Sequence, residues 1–325
     1  MEEASDVLML QQVQTYLKAA NVGAPGMDQE FIDEAAERVK QVLDVAFNQT
    51  RSSKFKLSMS SAGKPTCQLL MRRDGAKEES LGAAFRMKML IGDITELVLL
   101  AVLKASGIDV TESNLKVKID SDGIKMNGEL DLILNNESVW DTKSCSRWAF
   151  DNKWKANDEI FEAGDDFGYL EQLYGYSKAA GKRPGGWFVV NKETGELLIR
   201  KARQEPEVME KYLGNISDNL FKVINPNTQF ERSFEDVPET FRKVPTGNRK
   251  LAMTCTFCSF KYTCWEGLQY RRSIPSAAKD PKMEYYTHID PESIDKYESS
   301  VSKGQRERVA KAGGSGDKKA IPKTK

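Results

Sequence analysis

Apolar residues recur at helical spacing through the first fifty positions. Val7, Leu8 and Leu10 in 5–20, and Phe31, Ala35, Val39, Val42, Leu43 and Phe47 in 28–48, predict two helices. The segment 59–61 leads through Gly63 and Pro65 to Cys67. From Leu81 to Ala105 a long apolar periodicity, stopped by Gly107, predicts the strongest helix of the chain. Between Val117 and Ser144 the period shortens to alternation, broken at Ser121-Asp122-Gly123 and at Asn135-Asn136, which predicts consecutive antiparallel strands. A further helix is expected over 165–180, closed by Gly181. A strand pair at 187–190 and 197–201 turns at Glu193-Thr194-Gly195, and a last long helix covers 205–223. The segment 255–265 is compact and rich in cysteine, and regular pattern is lost after about Ser273. No internal repeat is found. The order helix, strands, helix, strands predicts a mixed α/β domain.

The chain has 325 residues, enough to bury a sizeable core. Its longest apolar run, Leu97–Leu103, is far short of the roughly 20 residues that a spanning helix needs. The start of the chain carries Glu2, Glu3 and Asp6 and lacks the basic and apolar pattern of a secretory signal, so a cytoplasmic location is expected. A single histidine, His288, excludes serine–histidine triads and histidine-rich metal sites, leaving carboxylates and lysine to run any hydrolysis. The 48 basic and 48 acidic residues cancel overall but not locally: 299–325 holds eight Lys/Arg against two Asp/Glu, so a basic tail follows an acidic body. That tail reads as a solvated disordered terminus or as a loose tether for nucleic acid.

The chemistry concentrates in Gly128-Glu129-Leu130-Asp131-Leu132-Ile133-Leu134, the turn 135–137, and Ser138-Val139-Trp140-Asp141-Thr142-Lys143-Ser144. Alternation puts Glu129 and Asp131 on one face of the first strand, and Asp141 and Lys143 on one face of the second. With a three-residue loop, paired positions place Asp131 opposite Asp141 and Glu129 opposite Lys143. Opposed carboxylates about 5 Å apart repel unless one is protonated or a cation lies between them. Oxygen ligands from Asp131, Asp141 and Glu129 suit Mg²⁺ or Mn²⁺, and Lys143 could orient water or meet charge on a phosphate. The plain alternative is a surface hairpin with a solvated polar face, which the apolar Leu130, Leu132 and Trp140 and the neighbouring Thr142 on the other face weaken. Glu96 lies among Gly92, Asp93, Leu99 and Leu100 on the long helix, a carboxylate in need of a partner: a shared metal or a structural ion pair. Gln172 and Tyr176, at i and i+4, point the same way and could position a nucleotide. Lys153 and Lys155 flank Trp154, a pattern for phosphate attraction with stacking, or for simple packing of the indole.

These residues resemble the PD-(D/E)XK nuclease superfamily, in particular its RecB-like branch with the CRISPR-adaptation exonucleases. Gly128-Glu129-Leu130-Asp131 is similar to the G-x-x-D strand, Asp141-Thr142-Lys143 to the D-x-K signature, and Gln172 through Tyr176 to Q-x-x-x-Y. Gly92 through Glu96 falls where many members carry a metal-binding histidine. The resemblance spans roughly 55–268. It implies a restriction-endonuclease-like core with a mixed central sheet, metal ligands Glu96, Asp131 and Asp141, catalytic Lys143 with Glu129 alongside, and DNA contacts at Gln172 and Tyr176. Members with an iron–sulfur cluster carry one upstream cysteine and three downstream. Cys67 with Cys255, Cys258 and Cys264, spaced C-x₂-C-x₅-C, therefore implies a [4Fe-4S] site, with Zn²⁺ as the alternative four-thiolate occupant. Cys145 has no place in that set and is expected to be buried; His288 is expected at the surface.

The expected organisation is an N-terminal helical segment 1–54, a nuclease domain 55–272 with its cysteine-rich closure at 255–264, and an irregular basic extension 273–325. The expected activity is a Mg²⁺/Mn²⁺-dependent DNA exonuclease without a membrane partner. Its rivals are a noncatalytic nucleic-acid-binding protein with a zinc or iron–sulfur knuckle, and a structure-specific endonuclease.

Overall fold

The computed structural model describes residues 2–20, 22–23, 26–49, 55–80, 82–121, 124–276 and 278–297. In chain order the elements are α1 (Glu2–Ala20), α2 (Gln29–Phe47), α3 (Met59–Ala62), α4 (Thr66–Arg73), α5 (Ala83–Ala105), β1 (Val110–Ser121), β2 (Ile124–Leu134), β3 (Ser138–Cys145) and α6 (Arg147–Ala149). After a short π-helical turn at 150–154 come α7 (Asp158–Ala163), α8 (Tyr169–Ala180), β4 (Arg183–Asn191), β5 (Leu197–Lys201) and α9 (Pro206–Ile224). β6 (Val237–Phe241), β7 (Val244–Lys250), α10 (Met253–Thr256), α11 (Lys261–Cys264), β8 (Gln269–Arg272) and β9 (Met283–His288) complete the series.

The chain divides into two compact units, 1–76 with 80–231, and 77–79 with 232–325. The first contains a five-stranded mixed sheet ordered β1-β2-β3-β4-β5, in which only the β3–β4 pair is parallel. The strand pattern of the sequence is therefore present, with β1 starting earlier than the alternation predicts. Two apolar layers enclose the sheet. On one side Leu173, Tyr174 and Tyr176 of α8, and Ile216 and Leu220 of α9, pack with Val139, Trp187 and Val189. On the other side Val13 of α1 and Leu99, Leu100 and Leu103 of α5 pack with Leu132, Trp140 and Phe188. Alternation along β3 explains the division, since Val139 and Trp140 face opposite layers. Leu130 and Leu132 are both buried, as their apolar character requires, but they join different layers.

The N-terminal helices belong to this unit. Lys104 of α5 donates to Glu34 of α2 at 2.5 Å and to Ser113 of β1 at 2.8 Å. The basic tail expected beyond residue 298 lies outside the described residues. Among the described residues no helix is long and apolar enough to cross a membrane.

The second unit carries a four-stranded sheet ordered β6-β7-β9-β8. Here the expectation of irregular chain after Ser273 is corrected: β9 pairs antiparallel with β8 and β7 and buries Tyr286 completely. The strand escapes a periodicity search because Met283, Tyr285 and Thr287 alternate with Glu284, Tyr286 and His288, giving no clean apolar face. The cysteine-rich segment also falls in this second unit, with Cys255 on α10 and Cys264 ending α11, whereas Cys67 lies on α4 of the first.

Candidate active site

Asn135 and Asn136 take left-handed backbone conformations, φ 50° and 54°, and fold the chain back between β2 and β3. The pairs Leu134↔Ser138, Ile133↔Val139 and Leu132↔Trp140 have the expected register. Continuing it by one step sets Asp131 opposite Asp141, but the backbone ladder ends at Leu132↔Trp140. There the Asp131 carboxylate takes the place of a backbone acceptor: its Oδ2 receives the Thr142 N–H at 2.7 Å and the Thr142 hydroxyl at 2.8 Å. The side chain of one strand thus holds the next strand at the point where the two part, and β3 runs on beside β4 with Asp141↔Trp187 and Lys143↔Val189 in register.

Asp141 is 2% exposed, and neither of its carboxylate oxygens accepts a hydrogen bond. Its Oδ2 is 2.5 Å from Lys143 Nζ, an ion pair at angles outside those of a hydrogen bond. Burial pushes the Asp141 carboxyl well above the ordinary carboxylate range. Lys143 opposes that shift, and the negative charge of Asp131 adds to it. For Lys143 burial works against the charged form, but Asp141, Asp131 and Glu96 outweigh it and raise its pKa, so the side chain is an ammonium at any ordinary pH. The ammonium also lies 5.4 Å from the centre of the Tyr169 ring, a cation–π contact.

Glu96 approaches from α5, where its Oε1 accepts the Ser144 N–H at 3.0 Å and the Ser144 hydroxyl at 3.2 Å. Burial raises its pKa; Lys143 lowers it and Asp131 raises it, so the group sits in the field of the same cluster. Asp93, one turn earlier, is also raised by burial and is drawn down by Lys192 and Lys143. Tyr176 is buried, with its pKa raised by desolvation. Gln172 and the Glu129 backbone bond to it, and Asp141 and Asp131 lie close enough to act on it electrostatically. Gly128 makes this approach possible, because a Cβ there would stand 2.5 Å from Tyr176 Cε1 and 3.0 Å from Met59 Cβ.

The structure thus brings together Glu96, Asp131, Asp141, Lys143, Gln172 and Tyr176. Glu129 differs from expectation. Its carboxylate is ion-paired with Arg38 of α2, which also donates to Asn114 at 2.8 Å, and no Glu129–Lys143 pair forms. Glu129 would lie toward Lys143 only if the two strands stayed paired, whereas the ladder ends three positions earlier, at Leu132↔Trp140. Trp154 is a second correction: it is buried against Phe161, Tyr169 and Trp187 and offers no ring for stacking. Lys153 pairs with Asp166 at 2.7 Å, and Lys155 lies over the Phe150 ring. Cys145 is buried as expected, its thiol pushed up to about 12 by burial.

Sequence reasoning missed Tyr169, Asp93 and Lys192. Tyr169 opens α8 one turn before Gln172, so helical spacing from the Gln172/Tyr176 pair could have found it. Lys192 follows the end of β4, beyond any motif.

Asp131, Asp141 and Glu96 present oxygen donors only, and a buried carboxylate such as Asp141 beside further acids is the kind of group that a divalent cation satisfies. Among the described residues no three His, Cys, Asp or Glu side chains form a ready cage. Lys143 stands against Asp141, and Asp131 is engaged by Thr142.

No family model matches the chain, and no curated protein does. Among solved structures it is similar to SSO0001, with 15% identity over 74% of this chain and 96% of that one and a TM-score of 0.38. It is also similar to an alkaline exonuclease from Laribacter hongkongensis, with 12% identity over 60% of this chain and 92% of that one and a TM-score of 0.36.

Proposed function

We propose that the chain is a Mg²⁺- or Mn²⁺-dependent nuclease that hydrolyses DNA phosphodiester bonds, acting as an exonuclease. The observation that carries this reading is Asp141: a buried carboxylate held beside a second carboxylate, Asp131, with the one ammonium of Lys143 against it. A single lysine charge does not neutralise the three carboxylates gathered around it, and a divalent cation would. Asp131, Asp141 and Glu96 would hold the cation. When bound, it polarises a phosphoryl oxygen and lowers the pKa of its water, so a histidine base is not required.

Lys143 keeps its charge because three acids surround it, and it offers that charge to the negative oxygens that develop on the phosphate. Tyr169 orients the ammonium through its ring face, and Tyr176 with Gln172 closes the site from α8. The phosphodiester is cleaved with water as the nucleophile: a P–O bond to water forms, the bond to the leaving sugar oxygen breaks, and that oxygen takes a proton.

Cys255, Cys258 and Cys264 of the second unit are proposed as thiolate ligands of a [4Fe-4S] cluster, with Zn²⁺ as the alternative. Supporting this, Cys255, Cys258 and Cys264 are half-buried on or beside two short helices, and the Phe260 N–H points to Cys258 Sγ at 3.4 Å, a bond that favours a thiolate. A brown protein with stoichiometric iron and sulfide is the expected result; a colourless protein with stoichiometric zinc would contradict iron.

The test of the activity is incubation with 5′- and 3′-labelled linear single and double strands in Mn²⁺. Progressive shortening is expected for the unaltered chain and not for Asp141→Ala or Lys143→Ala. Full activity in both variants would refute the catalytic assignment. Cleavage of covalently closed circles would replace exonuclease by endonuclease.

A further inference from the structure

The long helix α5 does two different things along its length. From Gly92 onward it packs on the sheet, but its first part is solvated: 83–89 and Ile91 are all exposed, among them Phe85 (42%), Met87 (55%), Met89 (42%) and Ile91 (48%). An isolated helix gains nothing from showing this much apolar surface to water, and contiguous exposed patches of this kind mark contact sites. The same stretch, AAFRMKMLI, contains Arg86 and Lys88 and no acid, so the occupant it suits is apolar in part and anionic.

At 100° per residue, Phe85, Met89, Gly92 and Glu96 form one stripe. Its far end is in the cluster, because Glu96 bonds to Ser144. Its middle is a buried glycine: a Cβ at Gly92 would lie 3.8 Å from Lys192 Nζ and 3.2 Å from Ser144 Oγ, so the missing side chain lets the lysine lie against the helix. Lys192 is exposed, with Asp93 close enough to interact with it electrostatically. An aromatic ring, a thioether, an exposed ammonium and the acid cluster therefore follow one another over about 16 Å, at 1.5 Å per residue from Phe85 to Glu96.

We propose that this stripe is a track for an unpaired DNA strand: Phe85 and Met89 stack on bases, Lys192 takes a phosphate, and the strand leads to Asp131 and Asp141. The assignment of DNA rests on the nuclease reading above; the preference for an unpaired strand is additional. Bases in a duplex are stacked on one another and offer no face to Phe85, whereas in a single strand every base has one. A second copy of the chain would also cover apolar surface, but two identical basic stretches would repel, which favours the nucleic acid.

The experiment measures fluorescence anisotropy of a labelled oligothymidylate with the full chain, in chelator so that no hydrolysis occurs, at one salt concentration for comparing variants and over a salt series for the slope. The double variant Phe85→Ala/Met89→Ala is expected to bind about tenfold or more weakly, with Phe85→Trp restoring the loss. Phe221→Ala, which removes an exposed ring on α9 instead, is expected to leave affinity unchanged. A closed duplex dumbbell should bind the double variant and the unaltered chain equally. Lys192→Ala should reduce the salt slope for the oligothymidylate by about one phosphate contact.

The track is overturned if the double variant binds the oligothymidylate as the unaltered chain does, if it loses the dumbbell equally, or if the unaltered chain binds no oligothymidylate. It is overturned as well if sedimentation shows that the double substitution only breaks a self-associated form. Because the readout is binding without metal, failure of hydrolysis alone would remove the nuclease reading and leave the track standing.

Discussion

Asp141→Asn is expected to stabilise the metal-free protein. The cluster of Asp131, Asp141 and Glu96 faces the single buried charge of Lys143, so it carries about two net negative charges when all four are ionised. The raised Asp141 pKa already includes the attraction of Lys143, and its direction means that ionising this carboxylate costs free energy in the folded state even with the lysine beside it. Replacing it with a neutral amide of the same shape removes that cost and leaves Lys143 in the field of Asp131 and Glu96. Removing one partner of an isolated buried pair usually destabilises, because the other charge is left uncompensated; here two carboxylates remain. The amide can also donate toward Asp131. The gain is of the order of a buried unsatisfied polar group, about 1–3 kcal/mol. For a unit of this size that corresponds to about 2–4 °C per kcal/mol.

The assay is thermal unfolding in chelator near pH 7.5. The sign is checked by pH. A carboxyl whose folded pKa is raised binds its proton more tightly in the folded state, so the unaltered chain loses stability as pH rises from 3.8 to that raised value. The advantage of Asp141→Asn should therefore shrink on acidification and vanish below pH 3.8. Added Mn²⁺ should reverse the ranking, since only the unaltered chain gains from binding. An Asp141→Asn protein that melts at or below the unaltered chain in chelator would refute the reasoning.

Other expectations follow from single contacts. Cys145, buried with its thiol pushed up to about 12, should resist iodoacetamide in the native protein at pH 8 and react after denaturation, by peptide mass spectrometry; native labelling would contradict its burial. Gly128→Ala puts a methyl against Tyr176 and Met59 and should cost about 1–3 kcal/mol in chemical denaturation, with a parallel loss of hydrolysis as Tyr176 is displaced. Glu129→Gln should retain hydrolysis, and because its pair with Arg38 is about a third exposed, the stability loss should stay under about 1 kcal/mol; inactivity would return Glu129 to the site.

Much of the site is legible in the sequence because the relevant spacing is local. The three-residue turn fixes the register of β2 and β3, and one more step from Leu132↔Trp140 brings Asp131 to Asp141. Gln172 and Tyr176 share a face by helical spacing, and Glu96 is marked by its apolar neighbours. What the sequence hid depends on contacts from elsewhere. Glu129 is turned away by Arg38, 91 residues distant along the chain, once the strands part. Trp154 looks like a stacking residue until Phe161, Tyr169 and Trp187 surround it. Lys192 gains meaning only because Gly92 leaves it room, and β9 is recognisable only once its partners are in place.

The central claim is that Asp131 and Asp141 share a divalent cation. Its most direct measurement is calorimetric titration of Mn²⁺ into the metal-free protein. The unaltered chain should bind Mn²⁺, and Asp131→Asn and Asp141→Asn should each abolish or greatly weaken that binding while remaining folded by circular dichroism. Unchanged Mn²⁺ binding in both folded variants would contradict the claim.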